Sequence, residues 1–360
     1  MTSPARSRAI VRSVLVVDDS AFMRKLISEM IDALPEFHVA GTARDGLDAL
    51  AQIERTKPDI VTLDLQMPRL DGLEVLRRIM SESPRPVVVL SAGGEQFGDA
   101  TLRALELGAV DFVRKPSGPV SLDLETVRHR LVNALEAAAS ATVASRAVPK
   151  VHVEKRPIHS HAQLDARHVV VIASSTGGPR ALSEIIPLLP SSIRAAIVIA
   201  QHIPREFTPA LAHRLNEASA IMVCEARDGE RLLEGNVYLA RGGANTVITG
   251  VPGAAVLVVH TAVPRGGATP SADLLFDSAA RVFGAECTGA VLTGMGRDGA
   301  SGLRTIRSLG GRSLIQDEAS SAIYGMPRAA LADAGADMVA SVSAMASAIM
   351  GAVSGGVQNG

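Results

Sequence analysis

SVLVVDDS, residues 13–20, is a run of four apolar residues that ends in two adjacent aspartates. A continuous apolar run of this length suits a strand covered on both faces, and the aspartates then stand at its carboxyl end. Four further runs follow downstream, HVAGTA (38–43), DIVTLDL (59–65), PVVVLSA (86–92) and DFVRKP (111–116). Between these runs lie stretches with helical spacing, among them GLDALAQIER (46–55) and ATLRALELG (100–108). Five strands alternating with helices predict a parallel α/β sheet over residues 13–143.

A second series begins at HVVVIAS (168–174) and continues through AAIVIAQ (195–201), IMVCEA (221–226), NVYLA (236–240), AVLTG (290–294) and SLIQD (313–317). Helical segments such as ALSEIIPLL (181–189) and LLFDSAARVFG (274–284) separate them, so residues 167–355 predict a second doubly wound α/β domain. Within it, TVITG (246–250) and AAVLVVH (254–260) flank Val251-Pro252-Gly253 and predict a hairpin insertion. A Pro-containing, polar stretch without periodicity over 144–166 is the expected linker. The uncharged stretch after Met338 predicts a packed terminal helix, because its Ser, Gly and Ala content gives little drive to enter a bilayer.

Composition narrows the function classes. A chain of 360 residues fits two domains, and 47% apolar residues supply both cores with aliphatic side chains. The net charge of −1 argues against nucleic acid or an anionic membrane as a partner of the whole molecule. Cys224 and Cys287 are the two cysteines and form no CxxC pair, which fits a reducing cytoplasm. Arg6, Arg8 and Arg12 precede an apolar run that Asp18 and Asp19 cut too short for a signal peptide.

In the first domain, Asp18 and Asp19, Asp64, Ser91, and Lys115 with Pro116 all close strands, and parallel strands bring such residues to one ligand-binding edge. Three carboxylates there repel one another unless a hard divalent cation shares them, so the cluster predicts Mg²⁺. A carboxylate beside that charge can attack a phosphoryl group; Asp64 is the expected nucleophile and Lys115 its counter-cation.

VVDDS, LDLQMPRLDG and DFVRKP together resemble the response-regulator receiver family, with its flavodoxin-like fold. The resemblance implies Asp18, Asp19, Asp64 and the Gln66 carbonyl as metal ligands, Asp64 as the phosphorylation site, and Ser91, Lys115 and Phe112 as switch residues. It also implies a histidine kinase as phosphodonor.

In the second domain Ser174-Ser175-Thr176-Gly177-Gly178 joins a strand to a helix. Such a turn offers unpaired helix N–H groups to a developing oxyanion, and equally to a bound phosphate. His202 follows the next strand and Asp298 lies just beyond AVLTG, so three strand ends could assemble nucleophile, base and orienting acid. Taken singly, each has a plainer reading as a turn serine, a structural histidine or a helix-capping aspartate. Ser174 is a rival nucleophile, disfavoured because neighbouring strand residues point to opposite sides.

ASSTGG, AQHIP, TPSADLLFDSA, LTGMGRDGA and QDEASSAIYGMPRAA, in this order, resemble the catalytic domain of the chemotaxis protein-glutamate methylesterases, the CheB family. The chain departs from that pattern at Ala173-Ser174, where the family has Gly-Ala, and at Thr269, where Arg often stands. The resemblance implies a Rossmann-like serine hydrolase with Ser175, His202 and Asp298 catalytic and the amides of Thr176 and Met295 at the oxyanion. It implies phosphorylation-activated hydrolysis of methyl esters on chemoreceptor glutamates, with deamidation of glutamines by the same route, no cofactor in this domain, a cytoplasmic location and a monomer. A binding output in place of catalysis is the rival class, and no helix-turn-helix pattern supports it. His159 and His161 are expected to be solvated linker residues, and RGGAN (241–245) and PRGGA (264–268) to be loops without nucleotide-binding spacing.

Overall fold

The structure, a computed structural model, describes residues 11–91, 98–116, 124–141, 164–260 and 268–355. His159, His161, Arg6, Arg8, most of the expected linker and most of PRGGA lie outside the described residues. The chain divides into two compact units, each built on its own parallel sheet.

In the first unit β1 (Arg12–Val17), β2 (Phe37–Ala43), β3 (Ile60–Asp64), β4 (Val87–Ser91) and β5 (Asp111–Arg114) alternate with α1 (Ala21–Asp32), α2 (Gly46–Thr56), α3 (Gly72–Glu82), α4 (Gly98–Glu106), which belongs to this unit from Arg103 onward, and α5 (Leu124–Ser140). The strand order is β2-β1-β3-β4-β5. Travel along the sheet reverses after β2, and right-handed crossovers then put helices on both faces. That explains why all five residues of β3 and of β4 are buried. The reversal also opens a crevice between the carboxyl ends of β1 and β3, where Asp18 and Asp64 stand.

Caps fix where the helices begin. Ser20, Asp45 and Asp71 each accept a backbone N–H from the first turn of α1, α2 and α3. The capping aspartates are therefore distinct from Asp18 and Asp64, which the fold leaves for other work.

The second unit carries a seven-stranded sheet, ordered β14-β13-β12-β6-β7-β9-β8 and parallel throughout. Its strands are β6 (Val169–Ser174), β7 (Ala196–Gln201), β8 (Met222–Glu225), β9 (Asn236–Leu239), β12 (Cys287–Val291), β13 (Arg312–Gln316) and β14 (Met338–Ala340). The expected hairpin is present: β10 (Asn245–Thr249) pairs antiparallel with β11 (Val256–His260), Val247 opposite Val258. Helices α6 (Gly178–Ile185), α7 (Thr208–Ala218), α8 (Ala272–Phe283), α9 (Ala300–Ser308), α10 (Gly325–Ala334) and α11 (Val342–Gly355) complete it.

The terminal segment differs from the sequence reading. Met338–Ala340 forms the edge strand β14, and the helix starts at Val342. Ser341 separates the two, and Met338 and Val339, half exposed on the edge, lack the long apolar run that marks a central strand. Among the described residues no helix is long and apolar enough to cross a membrane.

The chain starts this sheet at β6, builds toward β7, and later returns to the other side of β6 with β12. Every residue of β6, β7 and β12 is buried. Phe276 of α8 is fully buried, and Gly302 of α9 allows its close approach, since a Cβ there would sit 2.5 Å from Phe276 Cβ. Gly289 of β12 makes room for Leu303 and Ile306, which a Cβ there would meet at 2.6 and 2.7 Å. Phe276→Ala is expected to destabilise this unit by roughly 3–5 kcal/mol, read from the denaturation midpoint of the full chain. A loss below about 1 kcal/mol would show that the junction relaxes into the void.

Candidate active site and receiver site

Strand register brings Ser175 and His202 together. Ser174 and Gln201 are the last paired residues of β6 and β7, and the His202 amide donates to the Ser174 carbonyl at 2.9 Å. Ser175 and His202 are the next residues on each strand, leaving adjacent strands that lie about 4.8 Å apart in such a sheet. Asp298 arrives from the other flank, on the loop that follows β12.

His202 Nε2 meets Asp298 Oδ2 at 2.8 Å, both side chains being mostly buried. Because Nε2 is engaged, Nδ1 is the ring nitrogen left to serve a hydroxyl. The Ser175 hydroxyl itself hydrogen bonds to no described residue, so of the three expected partners the structure joins the histidine and the acid and leaves the serine unbonded.

Asp298 also caps a helix, though not the helix that follows it. Its Oδ2 accepts the Ala272 amide at 2.7 Å, and its Oδ1 accepts the Asp273 amide at 2.9 Å and the Ser271 hydroxyl at 3.2 Å. These are donors at the N-terminus of α8. Burial pushes the Asp298 carboxyl up, but His202 and the two amides outweigh it and hold the group below the usual carboxylate range. The carboxylate thus favours its ionised form and is held by four donors beside the imidazole.

Asp273, which sequence reasoning missed, returns the favour. Its Oδ1 accepts the amides of Gly299 at 3.0 Å and Gly302 at 2.8 Å, at the start of α9. Its carboxyl is raised, by burial first and by the neighbouring Asp298 as well, against the pull of those amides. An acid in the first turn of a predicted helix is visible in TPSADLLFDSA, but nothing in sequence says that it caps a different helix.

The two serines separate cleanly. Ser174 is fully buried and its hydroxyl donates to Gln201 Oε1 at 2.7 Å, whereas Ser175 stands half-buried at the turn. The turn is held from behind: the Ser175 amide donates to the Thr293 carbonyl at 3.0 Å, and the Thr293 hydroxyl donates to the Thr176 carbonyl at 3.0 Å. Gly177 enters α6 with φ +77°, a conformation that favours glycine. Gly294 lies so close that a Cβ there would stand 2.8 Å from Ser175 Cβ. Met295 comes next, half exposed, and its amide donates to no acceptor among the described residues.

In the first unit Asp18, Asp19 and Asp64 each offer an oxygen within 4.8 Å of the others. Lys115 Nζ pairs with Asp18 Oδ2 at 2.6 Å and Asp64 Oδ2 at 2.7 Å. Burial works against the lysine's charge, but the two carboxylates keep its pKa above the ordinary value. Burial pushes Asp64 up and Asp18 adds to that, with Lys115 pulling the other way. The Gln66 amide donates to Asp64 Oδ1 at 3.2 Å, and Gln66 is exposed, its carbonyl on the loop beside the cluster. Ser91 and Phe112 are buried, at the end of β4 and on β5.

Two family models match this chain: response regulator receiver domain over residues 14–128, and CheB methylesterase over residues 170–349. Three curated relatives are called protein-glutamate methylesterase/protein-glutamine glutaminase. The one from Pyrococcus horikoshii is 41% identical, over 91% of this chain and 89% of its own. Those from Symbiobacterium thermophilum and Bacillus subtilis are 43% and 42% identical, each over 88% of this chain, and over 90% and 92% of their own. With a receiver sheet carrying the acidic cluster and a second sheet carrying the His202–Asp298 pair, the chain belongs to the protein-glutamate methylesterase/protein-glutamine glutaminase family.

Proposed function

We propose that this protein hydrolyses methyl esters of glutamate side chains on chemoreceptors and deamidates selected receptor glutamines, in the cytoplasm, under control of phosphorylation at Asp64. The observation that carries the reading is the 2.8 Å bond from His202 to Asp298 one strand away from Ser175.

The chemistry follows from the residues. Ser175 Oγ attacks the ester carbonyl while His202 Nδ1 removes its proton, and Asp298 stabilises the imidazolium that forms. Negative charge develops on the carbonyl oxygen, where the amides of Met295 and of Thr176, on the turn before α6, would stabilise it. His202 then gives its proton to the departing methoxide, which leaves as methanol. Water, deprotonated by His202, opens the acyl-enzyme, and glutamate and Ser175 are released. With a glutamine substrate the leaving group is ammonia and the other steps are unchanged.

The receiver cluster fits a divalent cation. Lys115 neutralises one of three carboxylate charges, leaving two, and the three carboxylates offer oxygens that lie within 4.8 Å of one another. Asp18, Asp19, Asp64 and the Gln66 carbonyl would hold Mg²⁺, which prefers such oxygen donors and when bound offsets charge on a transferring phosphoryl group. Asp64 would take that group from a histidine kinase, and Lys115 would pair with it. The domain limits that accompany this reading are 13–143 for the receiver, 144–166 for the linker and 167–355 for the esterase.

The test is methanol release from receptor membranes carrying radiolabelled methyl groups. Ser175→Ala should cut the rate by roughly 10⁴-fold or more; an unchanged rate would remove the triad. A small-molecule phosphodonor should raise the wild-type rate and leave Asp64→Asn at its own unstimulated level. Full stimulation of Asp64→Asn would place the control elsewhere.

A further inference from the structure

Gln201 is the last residue of β7 and is buried at 1% exposure, an unusual place for an amide. All of its bonds run to the proposed catalytic turns. Its Nε2 donates to the Ser175 carbonyl at 3.0 Å and to the His202 carbonyl at 3.1 Å. Its Oε1 accepts the Ser174 hydroxyl at 2.7 Å.

The orientation of the amide is not arbitrary. Two carbonyl oxygens, that of Ser175 (which also accepts the Gly178 amide at 2.7 Å) and that of His202, lie on one side of the carboxamide, and only Nε2 can donate to both. Oε1 then faces Ser174, whose hydroxyl can turn to donate. Gly178 is what gives the amide its place, since a Cβ there would overlap Gln201 Oε1.

We propose that Gln201 is a positioning residue for the hydrolysis, setting the distance between nucleophile and base by holding the backbones of both. The inference rests on the triad reading above. Ser175 and His202 stand just beyond the last ladder pair, where a single backbone bond, from the His202 amide to the Ser174 carbonyl at 2.9 Å, still links the two strands. The Gln201 amide, bridging the carbonyls of Ser175 and His202, adds a second link that reaches both residues directly. A displacement near 1 Å of a reacting group can lower a rate by about 10²-fold, so the loss should appear in the acylation step and spare substrate binding.

The experiment compares full-length wild type, Gln201→Met and Ser174→Ala. Methionine has nearly the length of glutamine and no donor, so it fills the space while removing all three bonds. Two readouts are taken: kcat and KM for methanol release, and the rate at which an organophosphorus serine-hydrolase probe labels Ser175. Gln201→Met should lose roughly 30- to 100-fold in kcat and in labelling rate, with KM within about twofold. Ser174→Ala, which only frees Oε1, should lose a few-fold in both.

A folded Gln201→Met protein with wild-type kcat and labelling overturns the proposal, even if its melting temperature drops, because the amide would then support the fold alone. Should Gln201→Met fail to fold, Ser174→Ala decides: unchanged rates overturn the proposal and a parallel fall in kcat and labelling sustains it. Failure of the triad reading is distinct, since wild type would then resist labelling at Ser175 altogether.

Discussion

Parallel strands deliver their last residues to one edge, and the strands beneath are sealed from water, so every charge at that edge depends on its neighbours for neutralisation. Both units of this chain are built around that constraint. In the receiver, β1 and β3 end in Asp18 and Asp64, each almost without exposure. In the second unit, β6, β7 and β12 converge on Ser175, His202 and the loop that carries Asp298. The topological reversal chooses the place in each sheet: β1 beside β3, and β6 between β7 and β12.

The two edges answer the constraint differently, and the difference suits their chemistry. Around Asp64 the carboxylates outnumber the lysine, so burial and the Asp18 charge push the group up and leave demand for more positive charge. Such an edge is receptive to a cation and, through it, to an anion as charged as a phosphoryl group. Around Asp298 the donors suffice, since an imidazole, two amides and a hydroxyl serve two oxygens. That edge is self-contained, as the proposed acyl-transfer role would require of the group that orients its base.

Much of this is legible in the sequence because it is local. Apolar runs ending in Asp18, Asp64, Ser174 or Gln201 identify strands and what they carry to the edge, and Val251-Pro252-Gly253 between two β-rich runs identifies the hairpin. The parts that are not legible depend on pairs distant in sequence. Asp298 reads as a cap for the helix beginning at Ala300, whereas it caps α8 and leaves α9 to Asp273; the exchange needs the two helices side by side. Gln201 looks like the polar end of a strand, and its three bonds exist only once β6 lies against β7. Met338–Ala340 is too short and too exposed to announce itself, and it becomes a strand because β13 offers it an open edge.

The exchange between Asp273 and Asp298 also settles where negative charge resides. Two carboxylates this close cannot both be stabilised equally, and their surroundings divide them. Asp273, opposed by burial and by its neighbour, is raised, while Asp298, with the imidazole added to its amides, is lowered. The first charge to be given up on acidification is therefore the one at α9, and the one facing His202 persists. Each helix N-terminus meanwhile keeps a carboxylate oxygen for its free N–H groups, which fixes α8 and α9 against each other through their caps as well as through Phe276. A rotation of either helix would pull a capping oxygen off the other, so the orientation of Asp298 is set by the packing of two helices as well as by the short loop on which it stands.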